Sequence, residues 1–107
     1  MKETEFTILF KTMRANSNLT LRALGEDLGL SASYLNDLEK GNRKPNERVV
    51  EALVTFYNLS LNQQRILYDS VANSTDSLPF DVIRFLKENP EELLKIINTM
   101  QQNGLKR

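Results

Sequence analysis

Two short stretches of helical apolar spacing stand almost end to end in this chain, and they restrict its fold more than any other feature. The first runs from Leu21 to Leu28, with Leu21, Leu24 and Leu28 on one face; the second runs from Ala32 to Lys40, with Leu35 and Leu38 inward. Thr20 is placed to cap the first, and Gly29 falls just past its end, where a left-handed backbone favours glycine. Only Leu30 then separates that glycine from Ser31, the cap of the second helix. Helices joined this tightly must cross steeply, so the second has one face on a core and the other in solvent. The outward face carries Ser33, Asn36, Asp37 and Lys40, while small Gly25 allows a neighbouring helix to approach and Gly41 stops the second helix.

The flanking segments read as helices too. Phe6, Leu9, Phe10 and Met13 recur at the spacing of one helical face, predicting a helix over about Thr4 to Ala15 that the polar Asn16-Ser17-Asn18 ends. After the loop Asn42-Arg43-Lys44-Pro45, Asn46 caps a fourth helix through Val49, Val50, Leu53, Val54 and Phe56. Ser60 caps a fifth through Ile66, Leu67 and Val71. No stretch alternates with period two and no Asn-Gly or Asp-Gly hairpin signal occurs, so the expected class is all-α. Five helices over residues 1–72 make one compact unit.

Residues 73–78 are polar and read as a linker, and residues 79–107 as a helical appendage. One helix covers Pro79 to Leu86, and Asn89-Pro90-Glu91-Glu92 opens another with a cap, a proline at the first position and two acids at the positive helix end. Leu93, Leu94, Ile96, Ile97 and Met100 form its apolar face, and Gly104 is its stop. A face that wide has to be covered, by its own five-helix unit, by a second copy or by another protein.

Composition excludes most chemistry. The chain has no cysteine and no histidine, which removes disulfides, thiolate zinc sites, the thiol nucleophile and the commonest general base and transition-metal ligand. Its four glycines form no phosphate loop and no paired carboxylates stand out, so neither an enzyme nor a cofactor is expected. Apolar runs fall far short of the ~20 residues of a membrane span. Met1-Lys2-Glu3-Thr4-Glu5 lacks a signal-peptide pattern, which makes the cytoplasm the expected location. Net charge is zero, so any polyanion must be met locally, and Lys40, Arg43 and Lys44 cluster around Gly41.

Arg14, Leu19-Thr20-Leu21-Arg22-Ala23-Leu24-Gly25, Leu28-Gly29-Leu30-Ser31, Ser33-Tyr34-Leu35 and Leu38-Glu39-Lys40-Gly41-Asn42-Arg43-Lys44-Pro45 together resemble the Cro/CI-type (XRE) helix-turn-helix family of bacterial and phage transcriptional regulators. The resemblance covers about residues 6–72. It implies a lambda-repressor-like five-helix domain whose second helix crosses the DNA backbone while the third meets base edges in the major groove. By position, Ala32, Ser33 and Asp37 correspond to base readers. Thr20, Leu21 and Arg22 correspond to phosphate neighbours, as do Lys40, Arg43 and Lys44, and the two helix starts offer N–H groups to phosphate. The same resemblance implies a partly buried Arg14–Glu39 salt bridge between the first and third helices. It extends faintly into the appendage, since many short regulators of this family carry a Leu-Pro helix followed by an Asn-Pro-Glu helix.

The chain departs from phage relatives where Leu21, Ala32 and Ser33 replace glutamines that read adenine, so no bidentate amide contact falls there. Ala32 can touch only a thymine methyl. Asp37 either accepts from cytosine N4 or repels phosphate unless Lys40 or Arg43 offsets it. Asn36 and Tyr34 are substitute contact residues, although Tyr34 equally suits the edge of the core. Ser31 and Thr20 are helix caps first, worth about 1 kcal/mol each, and phosphate contacts second. The expected function is a sequence-specific regulator of double-stranded DNA, a homodimeric repressor on an inverted-repeat operator. The competing expectation is a protein-interaction module, such as an antitoxin or an adaptor of a mobile-element control circuit, docking its partner on the C-terminal helices.

Overall fold

A computed structural model describes residues 3–104. Among them are seven helices and no strand: α1 (Glu5–Asn16), α2 (Leu21–Leu28), α3 (Ala32–Glu39), α4 (Glu47–Phe56), α5 (Leu61–Thr75), α6 (Phe80–Glu88) and α7 (Pro90–Gln102). The chain is therefore all-α, a helix-turn-helix unit followed by C-terminal helices. It divides into two compact units, the first ending at Ser77 and the second starting at Leu78.

In the first unit every helix start is closed by a side chain. The hydroxyls of Thr4, Thr20, Ser31 and Ser60 and the Asn46 amide oxygen each accept from the backbone N–H three residues on, satisfying donors that a helix start leaves unpaired. Three helix ends share one device. At α3, Gly41 takes φ 77°, its N–H donates to Leu38 O, and Asn42 N–H donates to Asp37 O at 2.9 Å. Asn18 and Asn58 close α1 and α4 the same way with φ 56° and 49°, a left-handed conformation that asparagine tolerates.

The core gathers Phe6 and Phe10 of α1, Leu24 of α2, Leu35 and Leu38 of α3, Val49, Val50 and Leu53 of α4, and Leu67, Tyr68, Val71 and Ala72 of α5. Helix α1 packs on α5 and α3, α2 on α3 and α4, and α4 on α5. The Phe6 and Phe10 rings stack with centroids 5.7 Å apart. Buried Thr7 and Ser70 send their hydroxyls to backbone carbonyls, and Tyr68 donates to the Glu51 carboxylate across α5 and α4.

Two of the apolar residues that mark α4 and α5 in the sequence face out. Phe56 ends α4 and meets Tyr57 edge-on at 4.9 Å instead of entering the core. Ile66 is 58% exposed, because it lies about 100° around α5 from buried Leu67 and opens with exposed Ile8 onto a groove between α1 and α5. The polar stretch from residue 73 also differs from the expected linker, since α5 continues through Thr75. Its polar side chains make that extension: Ser74 and Thr75 bond back to Ser70 O and Val71 O, Phe6 N–H donates to Ser74 Oγ, and Asn73 donates to Glu5.

In the second unit α6 and α7 pack on each other. Asn89 precedes Pro90 as expected, but its side chain does not cap α7; it turns back to donate to Phe85 O at 2.9 Å. No residue of α6 or α7 is buried, and Phe85, Leu93, Leu94 and Ile96 are exposed. Among the described residues no helix is long and apolar enough to cross a membrane.

Candidate nucleic-acid interface

The turn between α2 and α3 depends on one contact. A Cβ added to Gly25 would come within 2.4 Å of Leu30 O, so only glycine lets the chain fold back across α2 at this point. Sequence reasoning expected Gly25 to admit a neighbouring helix; what comes closest is the backbone of the turn itself. Leu30 N–H donates to Gly25 O at 2.8 Å, and Gly29 holds φ 71° with open space where a Cβ would stand. The turn thus delivers Ser31 to the start of α3 and leaves α3 anchored by fully buried Leu35 and Leu38.

Helix α3 presents an exposed start and a polar outer face. Ser31, Ser33 and Lys40 are exposed, and Ala32, Tyr34, Asn36 and Asp37 are half-buried. The Ser31 hydroxyl accepts from Tyr34 N–H at 3.1 Å and the Thr20 hydroxyl from Ala23 N–H at 3.0 Å, so each cap oxygen is engaged locally. On α2, Leu21 is half-buried, while Arg22 is exposed, 3.7 Å from Glu26. Beyond α3, Arg43 and Lys44 are exposed on a loop held at one end by the Gly41 closure and at the other by buried Pro45.

Three of these residues converge. The Arg43 guanidinium lies over the Tyr34 ring, 5.3 Å from its centroid, and Arg43 Nε is 4.0 Å from an Asp37 carboxylate oxygen. Asp37 is thus offset by Arg43, one of the two cations the sequence offered for it. The stacking over Tyr34 was not foreseen: the loop closure that brings residue 43 back over residue 34 depends on the left-handed turn at Gly41. Lys40 and Lys44 form no ion pair among the described residues.

Behind this face, Arg14 joins α1 to α3. Its Nε donates to Glu39 at 2.7 Å and its Nη2 at 2.8 Å, a two-pronged pairing, while Nη1 donates to Leu19 O at 3.0 Å. Glu39 raises the Arg14 pKa above the ordinary arginine value through that hydrogen bonding, against the lowering effect of burial. Leu19 leads directly into the Thr20 cap, so one guanidinium ties together α1, the entry to α2 and the end of α3.

The described residues hold no cluster of acids able to bind a metal ion. Residues 5–65 match the helix-turn-helix domain family, a span from α1 into α5 that covers more than half of the chain. The chain belongs to that family, a match consistent with an XRE-type helix-turn-helix, and its class is that of DNA-binding regulators. No curated protein and no solved structure matches it.

Proposed function

We propose that the chain is a sequence-specific transcriptional repressor, acting in the cytoplasm without enzymatic activity, that binds an inverted-repeat operator as a homodimer. Residues 1–72 form the DNA-binding domain and α3 its reader. Ala32, Ser33 and Asn36 face bases, and Thr20, Leu21, Arg22, Ser31, Lys40, Arg43 and Lys44 face phosphates. The observation that carries this reading is the outer face of α3: polar, anchored from behind by Leu35, Leu38 and the Arg14–Glu39 pair, and flanked by exposed Arg22, Lys40, Arg43 and Lys44.

Residues 79–107 serve as the dimerisation segment in this reading, because α6 and α7 expose Phe85, Leu93, Leu94 and Ile96. A two-fold dimer would set two copies of α3 against half-sites about 34 Å apart, one turn of the duplex. The same apolar faces favour a second reading, in which they hold a different protein and the chain is an antitoxin or adaptor.

Selection of bound sequences from a random duplex pool, at low and then moderate salt, separates the two. Enrichment of an inverted repeat with half-sites one turn apart supports the dimeric repressor. Recovery of duplexes without any shared sequence refutes it and leaves the partner-binding reading.

A further inference from the structure

We infer that Asp37 and Tyr34 do not read bases but are positioning residues, which hold Arg43 ready for a DNA phosphate. The inference rests on the proposed DNA-binding role of α3.

Tyr34 and Asp37 stand three residues apart on α3, so their side chains share one face of the helix. Arg43 crosses that face, its guanidinium over the Tyr34 ring at 5.3 Å and its Nε 4.0 Å from the Asp37 carboxylate. The loop that carries it is tied down on both sides, by Asn42 N–H on Asp37 O at 2.9 Å and by buried Pro45. Asp37 therefore engages the loop twice, with its backbone carbonyl and with its carboxylate.

At this exposure, with 59% of the Arg43 side chain and 39% of the Asp37 side chain open to solvent, the ion pair adds little to folding. Its consequence lies in the conformational freedom of Arg43. A free arginine loses several rotatable bonds' worth of entropy when it meets a phosphate, and a side chain already held in place loses less. The pairing also selects which donors remain available. Nε is the nitrogen set 4.0 Å from Asp37, and the terminal amino groups supply the planar fork that suits phosphate oxygens. Finally, Arg43 neutralises a carboxylate that would otherwise repel the duplex, and an engaged Asp37 is withdrawn from cytosine N4.

The test compares Asp37→Asn, Tyr34→Leu, Tyr34→Phe and Arg43→Ala in the full-length chain, with Asp37→Asn also made in the Arg43→Ala background. Affinity is measured on the selected duplex, on single-base variants and on unrelated duplex, across a salt series. Asp37→Asn and Tyr34→Leu are expected to weaken binding to all duplexes alike by about three- to tenfold, the scale of ordering one long side chain. Tyr34→Phe, which keeps the ring, should bind like the unmodified chain. In the Arg43→Ala background Asp37→Asn should reverse sign and strengthen binding, since only a repulsive carboxylate is then removed.

Tighter binding by Asp37→Asn in both backgrounds would overturn the inference and leave Asp37 a simple repulsive charge. A change in preferred base at one position would overturn it too, making Asp37 a reader. Matching thermal transitions of the variants exclude unfolding as the cause of any loss. Failure of the unmodified chain to bind duplex at all refutes the DNA-binding reading itself, an outcome distinct from these.

Discussion

Arg14 and Glu39, 25 residues apart in sequence, meet through two hydrogen bonds of 2.7 and 2.8 Å, and this pair locks the end of the candidate reading helix to α1. The Arg14 side chain is 26% exposed and that of Glu39 is 12% exposed, so loss of either partner strands a charge in a poorly hydrated place. Because the arginine pKa is raised, the stability linked to its proton is complete below the ordinary arginine value and is lost as pH climbs from there through the raised one. The pair therefore stays intact through neutral and mildly basic pH on the arginine side.

Glu39→Ala should destabilise the first unit by about 2–4 kcal/mol, somewhat less than for a fully buried pair because Arg14 retains some access to water. Urea unfolding followed by circular dichroism measures it. Replacing both residues with methionine should restore part of the loss, since no unpaired charge then remains.

Gly25→Ala sets two effects against each other. Alanine favours a helix over glycine by about 1 kcal/mol, but its Cβ would stand 2.4 Å from Leu30 O. That oxygen is backbone inside a tight turn and cannot swing aside, so a net destabilisation of about 1–3 kcal/mol is expected. A variant that melts at or above the temperature of the unmodified chain would show that the turn can relax.

Thr20→Ala and Ser31→Ala each remove an acceptor from a helix start and should each lower stability by about 1 kcal/mol. The two caps share no hydrogen bond, so the double variant should lose the sum, to be checked by thermal unfolding.

On DNA, Arg43→Ala should weaken binding to all sequences and reduce the slope of log affinity against log salt by about 0.9. Ser33→Ala or Asn36→Ala should instead relax preference at particular base pairs with little change of slope. Uniform weakening on every duplex by both kinds of change would remove α3 from the role of reader.

The apolar α7 face offers a test of assembly. Leu93→Glu with Leu94→Glu places two acids on residues that are already exposed, so α1–α5 should unfold as before. Sedimentation should shift from dimer to monomer, with weaker binding to an inverted repeat.

Much of this protein is local and can be read along the chain. The all-α class, the caps at Thr20, Ser31, Asn46 and Ser60, the left-handed Gly29 and the closely joined α2 and α3 rest on interactions within three to five residues. Side-chain type and spacing are enough to specify such contacts. Which apolar residues become core depends on packing between helices, because helical spacing names a face without saying how far the neighbouring helix covers it: Leu67 is buried while Ile66 beside it is open. Packing likewise carries α5 on through Thr75, since Ser74 and Asn73 meet Phe6 and Glu5, partners 68 residues away. The gathering of Arg43, Asp37 and Tyr34 follows the same rule: a left-handed turn at Gly41 returns the loop over α3, and that path, not the residue types, sets which charges meet.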